Sequence, residues 1–299
     1  MNKKHGNKGK KSKIERRIQI SSAVYLLPSL FGVLIFFGIP YIIVILYSFV
    51  DNPIQKNFVL FNNYINSISN FAFLTAAKNT FIFSAIAVPL AIVLSLALAL
   101  TLDMSIPYKT QIRSAFLTPL MVPIASIVLI WQVLFHYNGI INDWLLNFGV
   151  EKIDWLKSIY APVVIVLLFI WKNLGYDMVL FMAALANIPK EIIEVAQVEG
   201  ATKWQVFWKI KIRYLSPTIL FVTILTLINS FKVFREVYLL TGDYPFESLY
   251  MLQHYMNNTF RTLDYQKLST AAVLMSLFMV VLIGIMFIIE DRFGRDVEN

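Results

Sequence analysis

IPKEIIEVAQVEGATKWQVFWKIKIR, Ile188 to Arg213, is a charged interlude between two apolar runs. Its apolar residues recur at helical spacing. Pro189 suits the first turn of a helix, where its missing N–H has no intrahelical partner. Glu191 and Glu194 follow, favourable near a helix N-terminus. Ile192, Val195, Ala196 and Val198 form a narrow apolar side, and Gly200 stops or bends the helix. Lys203 to Trp208 starts a second helix that leads into the next apolar run. Periodicity alone leaves two ordinary readings of such a segment open: interfacial anchoring in lipid, or packing on its own bundle.

Working outward, the flanking runs are about 160–186, interrupted by Lys172 and Asp177, and 214–240. Further out lie 79–102, 114–142 and 268–289, all uncharged, and 33 uncharged residues between Arg17 and Asp51. A helix needs about 20 mostly apolar residues to cross the hydrocarbon core. Six spans are therefore expected at about 22–48, 79–102, 114–136, 160–186, 214–240 and 268–289. The first is too long for a signal-peptide core of about 7–15 residues. Pro28 and Pro40 fall near its ends, where lipid tolerates a kink.

The composition agrees. Of 299 residues, 58% are hydrophobic and 15% charged, against about 25% charged in soluble domains. The net charge of +8 is concentrated in residues 1–17, which hold eight basic groups and one acid. That describes a tail and not a basic folded face, so it argues against nucleic-acid binding. Lys and Arg set orientation. The termini, 103–113 and 187–213 together hold 17, against six on the opposite side. Both termini are thus expected in the cytoplasm, with a basic tail at 1–19, a six-span unit at 20–290 and a C-terminal tail at 291–299. There is no cysteine, and the three histidines stand far apart, so no metal site is expected. No G-x-x-x-x-G-K-[ST] phosphate cradle occurs, so the chain is read as a non-enzyme without a cofactor of its own.

The residues of the interlude carry a resemblance. Glu194-Val195-Ala196-Gln-Val-Glu199-Gly200-Ala201, then Phe207 and Ile210, resembles the EAA loop of ABC importer permeases, whose pattern is E-A-A, three residues, G, nine residues, then I-x-L-P. Ile188-Pro189, Leu215-Ser216-Pro217, FREVYLLTG at 234–242 and the outer FVLFNNY at 58–64 fit the carbohydrate branch of maltose, multiple-sugar and glycerol-phosphate type. Three departures stand out. Val195 occupies an Ala position, Arg213 stands where Pro is usual, which implies a straighter start to the fifth span, and Thr-Gly-Asp-Tyr-Pro at 241–245 replaces T-G-G-G-P.

The resemblance implies an all-α integral membrane protein with six transmembrane helices and a cytoplasmic coupling helix, the type I ABC importer permease fold. It implies a multi-pass subunit of the bacterial inner or plasma membrane. Its partners would be a second homologous permease, a dimer of cytoplasmic ATPase subunits that bind the ATP, and an extracellular or periplasmic solute-binding protein delivering a sugar. Glu194, Ala196, Glu199, Gly200, Ala201 and Phe207 would form the ATPase-coupling loop, the small residues permitting close approach. The resemblance also sets a sugar site on spans four and five. There it picks Asn173, Tyr176, Thr226 and Ser230, with Lys172 and Asn229 as neighbours. Intramembrane polar groups are functional candidates by default, but Asn, Ser and Thr also join helices to one another. On the ordinary reading Lys172 pairs with Asp177, while Lys232, Arg235 and Glu236 snorkel to the outer interface. A permease for a non-sugar solute such as glycerol phosphate or an amino acid, and a secondary carrier, are the alternative readings.

Overall fold

The structure is a computed structural model that describes residues 24–52, 54–104 and 106–294. The basic tail expected at 1–19, and most of the C-terminal tail at 291–299, lie outside them. The described residues are helical apart from loops, short turns and one isolated antiparallel bridge, Val50 to Phe58. Five helices are long and apolar enough to cross a membrane, or six if a bent pair counts as one span.

The centre of the bundle is α3 (Phe71–Asp103) against α7 (Ala161–Ala186), its most extensively packed helix pair. Asn70 caps α3 by accepting from the Phe73 N–H at 3.0 Å. The buried face of α3 carries Ala76, Ser84, Ala87, Ala91, Ser95 and Ala99. Small side chains let helices approach closely where lipid supplies no hydrophobic drive for association. Into that face α7 packs Ile165, Leu168, Phe169, Met178 and Phe181, all buried.

α10 (Ile212–Phe231) closes against α3, α7 and the last helix, α13 (Tyr265–Gly294). The first helix, α1 (Val24–Ser48), lies on the outside against α13, with no residue of its apolar window buried. Its exposed Leu, Ile and Phe side chains suit lipid or a neighbouring subunit. The FVLFNNY run begins at the Val50–Phe58 bridge and leads into α2 (Asn62–Ile68). It folds back onto the end of α1: Phe58, Phe61 and Tyr64 surround the Phe49 ring, and Asn63 Nδ2 donates to the Ser48 and Val50 carbonyls.

The third span differs from expectation. It is α4 (Lys109–Met121) followed by α5 (Ile124–Leu134), bent by 103°. Pro123 has no N–H to continue the ladder and forces the residue before it out of the helical region. Val122 is accordingly extended, at φ −89° and ψ 131°. α6 (Ile140–Asn147) then packs beside α5. Buried Asn142 holds the following loop by accepting from Trp155 Nε1 and the Ile153 N–H. The fifth span is also broken, at Lys232 and Val233, between α10 and α11 (Phe234–Thr241). Its beginning runs on through Arg213. A Thr202–Gln205 capping box opens α9 (Lys203–Val206), and a π turn at Phe207–Lys211 joins α9 to α10. On the opposite side, α12 (Leu252–Arg261) packs on α3 and α13.

Candidate functional site: an intramembrane cavity and a docking helix

The break between α10 and α11 faces the bend between α4 and α5, and a cavity of about 190 Å³ lies between them and α7. Leu120, Ile124, Leu168, Phe169 and Val233 form its apolar walls. Its polar lining is Lys172, Asn173, Tyr176, Asn229, Lys232, Arg235 and Glu236. Lys172 and Asn173 are the twelfth and thirteenth of the 26 residues of α7, near the middle of that span. Arg235 and Glu236, just after the break at Lys232 and Val233, line the cavity beside α7. Unwound or broken spans of this kind are tolerated where they line a cavity.

Four of the six expected pathway residues line this cavity: Lys172, Asn173, Tyr176 and Asn229. Asn173 Nδ2 donates to the Phe169 carbonyl at 2.8 Å, and its Oδ1 accepts from Asn229 Nδ2 at 3.0 Å. Tyr176 is half-exposed. The other two serve the packing. Thr226 is fully buried and donates to Asp177 Oδ2 at 3.0 Å. Ser230, also fully buried, donates to the Leu227 carbonyl and shares a 2.8 Å hydrogen bond with Ser84 of α3.

The expected Lys172–Asp177 pair does not form. Five residues apart on a helix, the two side chains point to different faces. Lys172 instead pairs with Glu236, which is nearly buried. Lys232, Arg235 and Glu236 all line the cavity, Glu236 buried and the two cations exposed. The sequence signal for this was present in Pro123 and in the cluster 232–236, but only the two breaks brought together make it a site.

At the far end of the same bundle, α8 (Lys190–Val198) has no buried residue. Val195 and Val198 are exposed, the latter to 89%, and a shallow groove runs between α8 and Ile210, bordered by Glu191 and Glu199. The helix ends in a Schellman motif. The Gly200 N–H donates to the Gln197 carbonyl at 3.0 Å and the Ala201 N–H to the Ala196 carbonyl at 2.9 Å. Gly200 sits at φ +86°, which L residues seldom adopt. A Cβ there would meet nothing within 4 Å, so the need for glycine is conformational and not one of close approach within this chain. Lys211 ties the start of the fifth span to Asp103 at the end of α3, at 3.3 Å. Trp204, Phe207 and Trp208 cluster just beyond α8, with Trp204 largely exposed.

Comparison with known proteins agrees with this geometry. The family profile described as "Binding-protein-dependent transport system inner membrane component" matches residues 87–299. The lactose transport system permease protein LacF of Rhizobium radiobacter is 28% identical over 286 residues, covering 93% of this chain and 96% of its own. The trehalose/maltose transport system permease protein MalF of Thermococcus litoralis is 28% identical, covering 81% of this chain and 82% of its own. The sulfoquinovosyl glycerol transport system permease protein SmoG of Agrobacterium fabrum is 30% identical, covering 74% and 73%. A chain of a bacterial ABC transporter that imports alginate superposes with a TM-score of 0.79 at 21% identity, covering 94% of this chain and 99% of that one, a likeness of fold. This chain belongs to the binding-protein-dependent transport inner membrane component family: it is a multi-pass ABC importer permease, dependent on an ATPase and a solute-binding protein and not itself an ATPase.

Proposed function

We propose that the solute is a carbohydrate and that it passes through the cavity between α7 and α11. The observation that carries this reading is the polar lining itself. Sugars are held by many hydrogen bonds together with an aromatic surface. Here the Asn173–Asn229 amide pair lies beside Tyr176, and the bond between the two amides uses only one Asn229 N–H, leaving its Oδ1 and second N–H for a ligand. The sugar permeases among the relatives, for lactose and for trehalose/maltose, support the same reading.

The interlude at 188–213 is the coupling element in this proposal, with both termini on its cytoplasmic side as the Lys/Arg bias indicates. Val195 and Val198 offer the apolar contact to a cleft of the ATPase. Glu194 and Glu199 offer charge, while Ala196 and Ala201 keep the end of the helix slim. Phe207 anchors the turn that carries motion into α10. A second homologous permease would cover the open side of the cavity.

The test is uptake into vesicles by the assembled complex with its binding protein, using a panel of disaccharides and amino acids. Disaccharide uptake is expected. It should fall about tenfold in Asn229→Ala, the effect of losing one to two hydrogen bonds to ligand, with basal ATP hydrolysis retained. ATP-driven uptake of amino acids and of no sugar would sink the proposal.

A further inference from the structure

The cavity lining is not electrically balanced. It holds three cationic groups, Lys172, Lys232 and Arg235, and one carboxylate, Glu236, a net of +2. Glu236 is taken up by Lys172. Among the described residues neither Lys232 nor Arg235 forms an ion pair. Asp177, the other carboxylate nearby, does not line the cavity and is turned toward Thr226. Both free cations stand three residues apart at the break of the fifth span, and both line the cavity. Charges inside a span are costly and are retained where they meet a counter-ion or line a pathway.

We infer that this cavity selects an anionic carbohydrate, one carrying a carboxylate, sulfonate or phosphate, with Arg235 and Lys232 as the groups that read the charge. The inference rests on the carbohydrate reading above and narrows it. The guanidinium suits a two-oxygen contact with a carboxylate or sulfonate, and Lys232 adds a mobile point charge. The Lys172–Glu236 pair cancels itself, so the sugar ring meets the neutral amides and Tyr176 while its acidic group meets the excess charge. Lys232 and Arg235 are exposed on the cavity lining; a neutral sugar would leave them without a counter-ion, which disfavours it relative to an acid of the same size.

The experiment measures direct binding to the assembled complex in nanodiscs without the solute-binding protein, which would otherwise impose its own selectivity. The probes are a uronic-acid disaccharide and the neutral disaccharide of the same size, read by fluorescence of Trp171 and its neighbours. The uronate is expected to bind at least about tenfold more tightly, the ratio that about 1.4 kcal/mol gives, and the ratio should shrink as salt rises. In the double variant K232Q/R235Q the two Kd values should come within about twofold of each other, whereas K232R/R235K should keep the preference, as charge complementarity requires. Equal or preferential binding of the neutral sugar by the native complex overturns the anion inference and leaves the carbohydrate reading standing. Binding of neither sugar, with binding of an amino acid, overturns both. Loss of the second permease from the K232Q/R235Q complex would assign the two cations to that interface, and the inference falls.

Discussion

Two glycines separate the two working regions of this molecule. Gly175 lies in α7 beside the cavity, and a Cβ there would stand 1.9 Å from the Phe116 carbonyl oxygen of α4. Gly200 ends α8, where a Cβ would meet nothing, yet its φ of +86° excludes most L residues. The first glycine is required by a neighbour, the second by its own backbone. The cavity wall is therefore held by interlocking helices, buried polar bonds and a nearly buried ion pair. The end of α8 is set by local geometry: it has no buried residue, and Ile193 is its contact with the core.

The largest effect that would break this contrast is removal of Lys172. Glu236 would then be left unpaired at about 4% exposure, and stranding one member of a buried pair costs about 3–5 kcal/mol. Lys172→Ala should lower the thermal midpoint of the purified complex sharply, while hydrogen exchange in α8 stays as in the native protein. Replacing both members together, as K172M/E236M, should recover most of the loss, because the penalty comes from the orphaned charge. Equal destabilisation in the single and double variants would mean that the pair is not the lock.

Next is an acid titration, which should act on the packed part and spare the docking helix. His254 of α12 is fully buried against the Phe234 ring and accepts from the Met251 N–H. Burial pushes its pKa down to about 4, with Asp243 pulling weakly the other way. The unfolded chain, titrating near 6.5, takes up its proton first. The stabilising contribution is thus whole above about pH 6.5, declines as the pH falls, and levels off near 4, with a loss of at most about 3 kcal/mol. Thermal midpoints between pH 7 and 4 would follow it, and His254→Gln should flatten that window. An unchanged slope in the variant would remove His254 from the account.

Gly175→Ala follows. Overfilling a packed contact costs about 1–3 kcal/mol, and here the obstacle is backbone, so the upper end is expected. The wall of α4 must move away from α7, so solute binding should weaken along with stability.

How much of this was legible in the sequence follows the same division. The spans at 22–48, 160–186 and 268–289 could be read because membrane crossing demands length and apolarity in one continuous run, and α1, α7 and α13 occupy them. The helix α8 could be read because its apolar side and Gly200 are local signals. The cavity could not. Pro123 marks the break, yet 114–136 read as one span because it is uncharged throughout and long enough to cross. The partner of Lys172 is Glu236, 64 residues away, and no spacing rule reaches that far. Thr226 and Ser230 looked no different from Asn173 and Asn229 in sequence. Only the tertiary arrangement buries the first two in helix–helix contacts and leaves the last two, bonded to each other, on a cavity wall.

The smallest effect, and the sharpest, is expected at Gly200. If the backbone alone demands glycine, Gly200→Val should be worse than Gly200→Ala, and Gly200→Asn should be close to native, because Asn tolerates the left-handed region. The cost for Val is about 1–2 kcal/mol, too little to unfold a bundle whose core lies elsewhere, but enough to fray the last turn of α8. Complex assembly should survive, and sugar-dependent ATP hydrolysis should fall several-fold for Val and little for Asn. If Asn proves as damaging as Val, the glycine is needed for close approach of the ATPase and not for the turn. Gly200 would then resemble Gly175 after all, with its neighbour supplied by another chain.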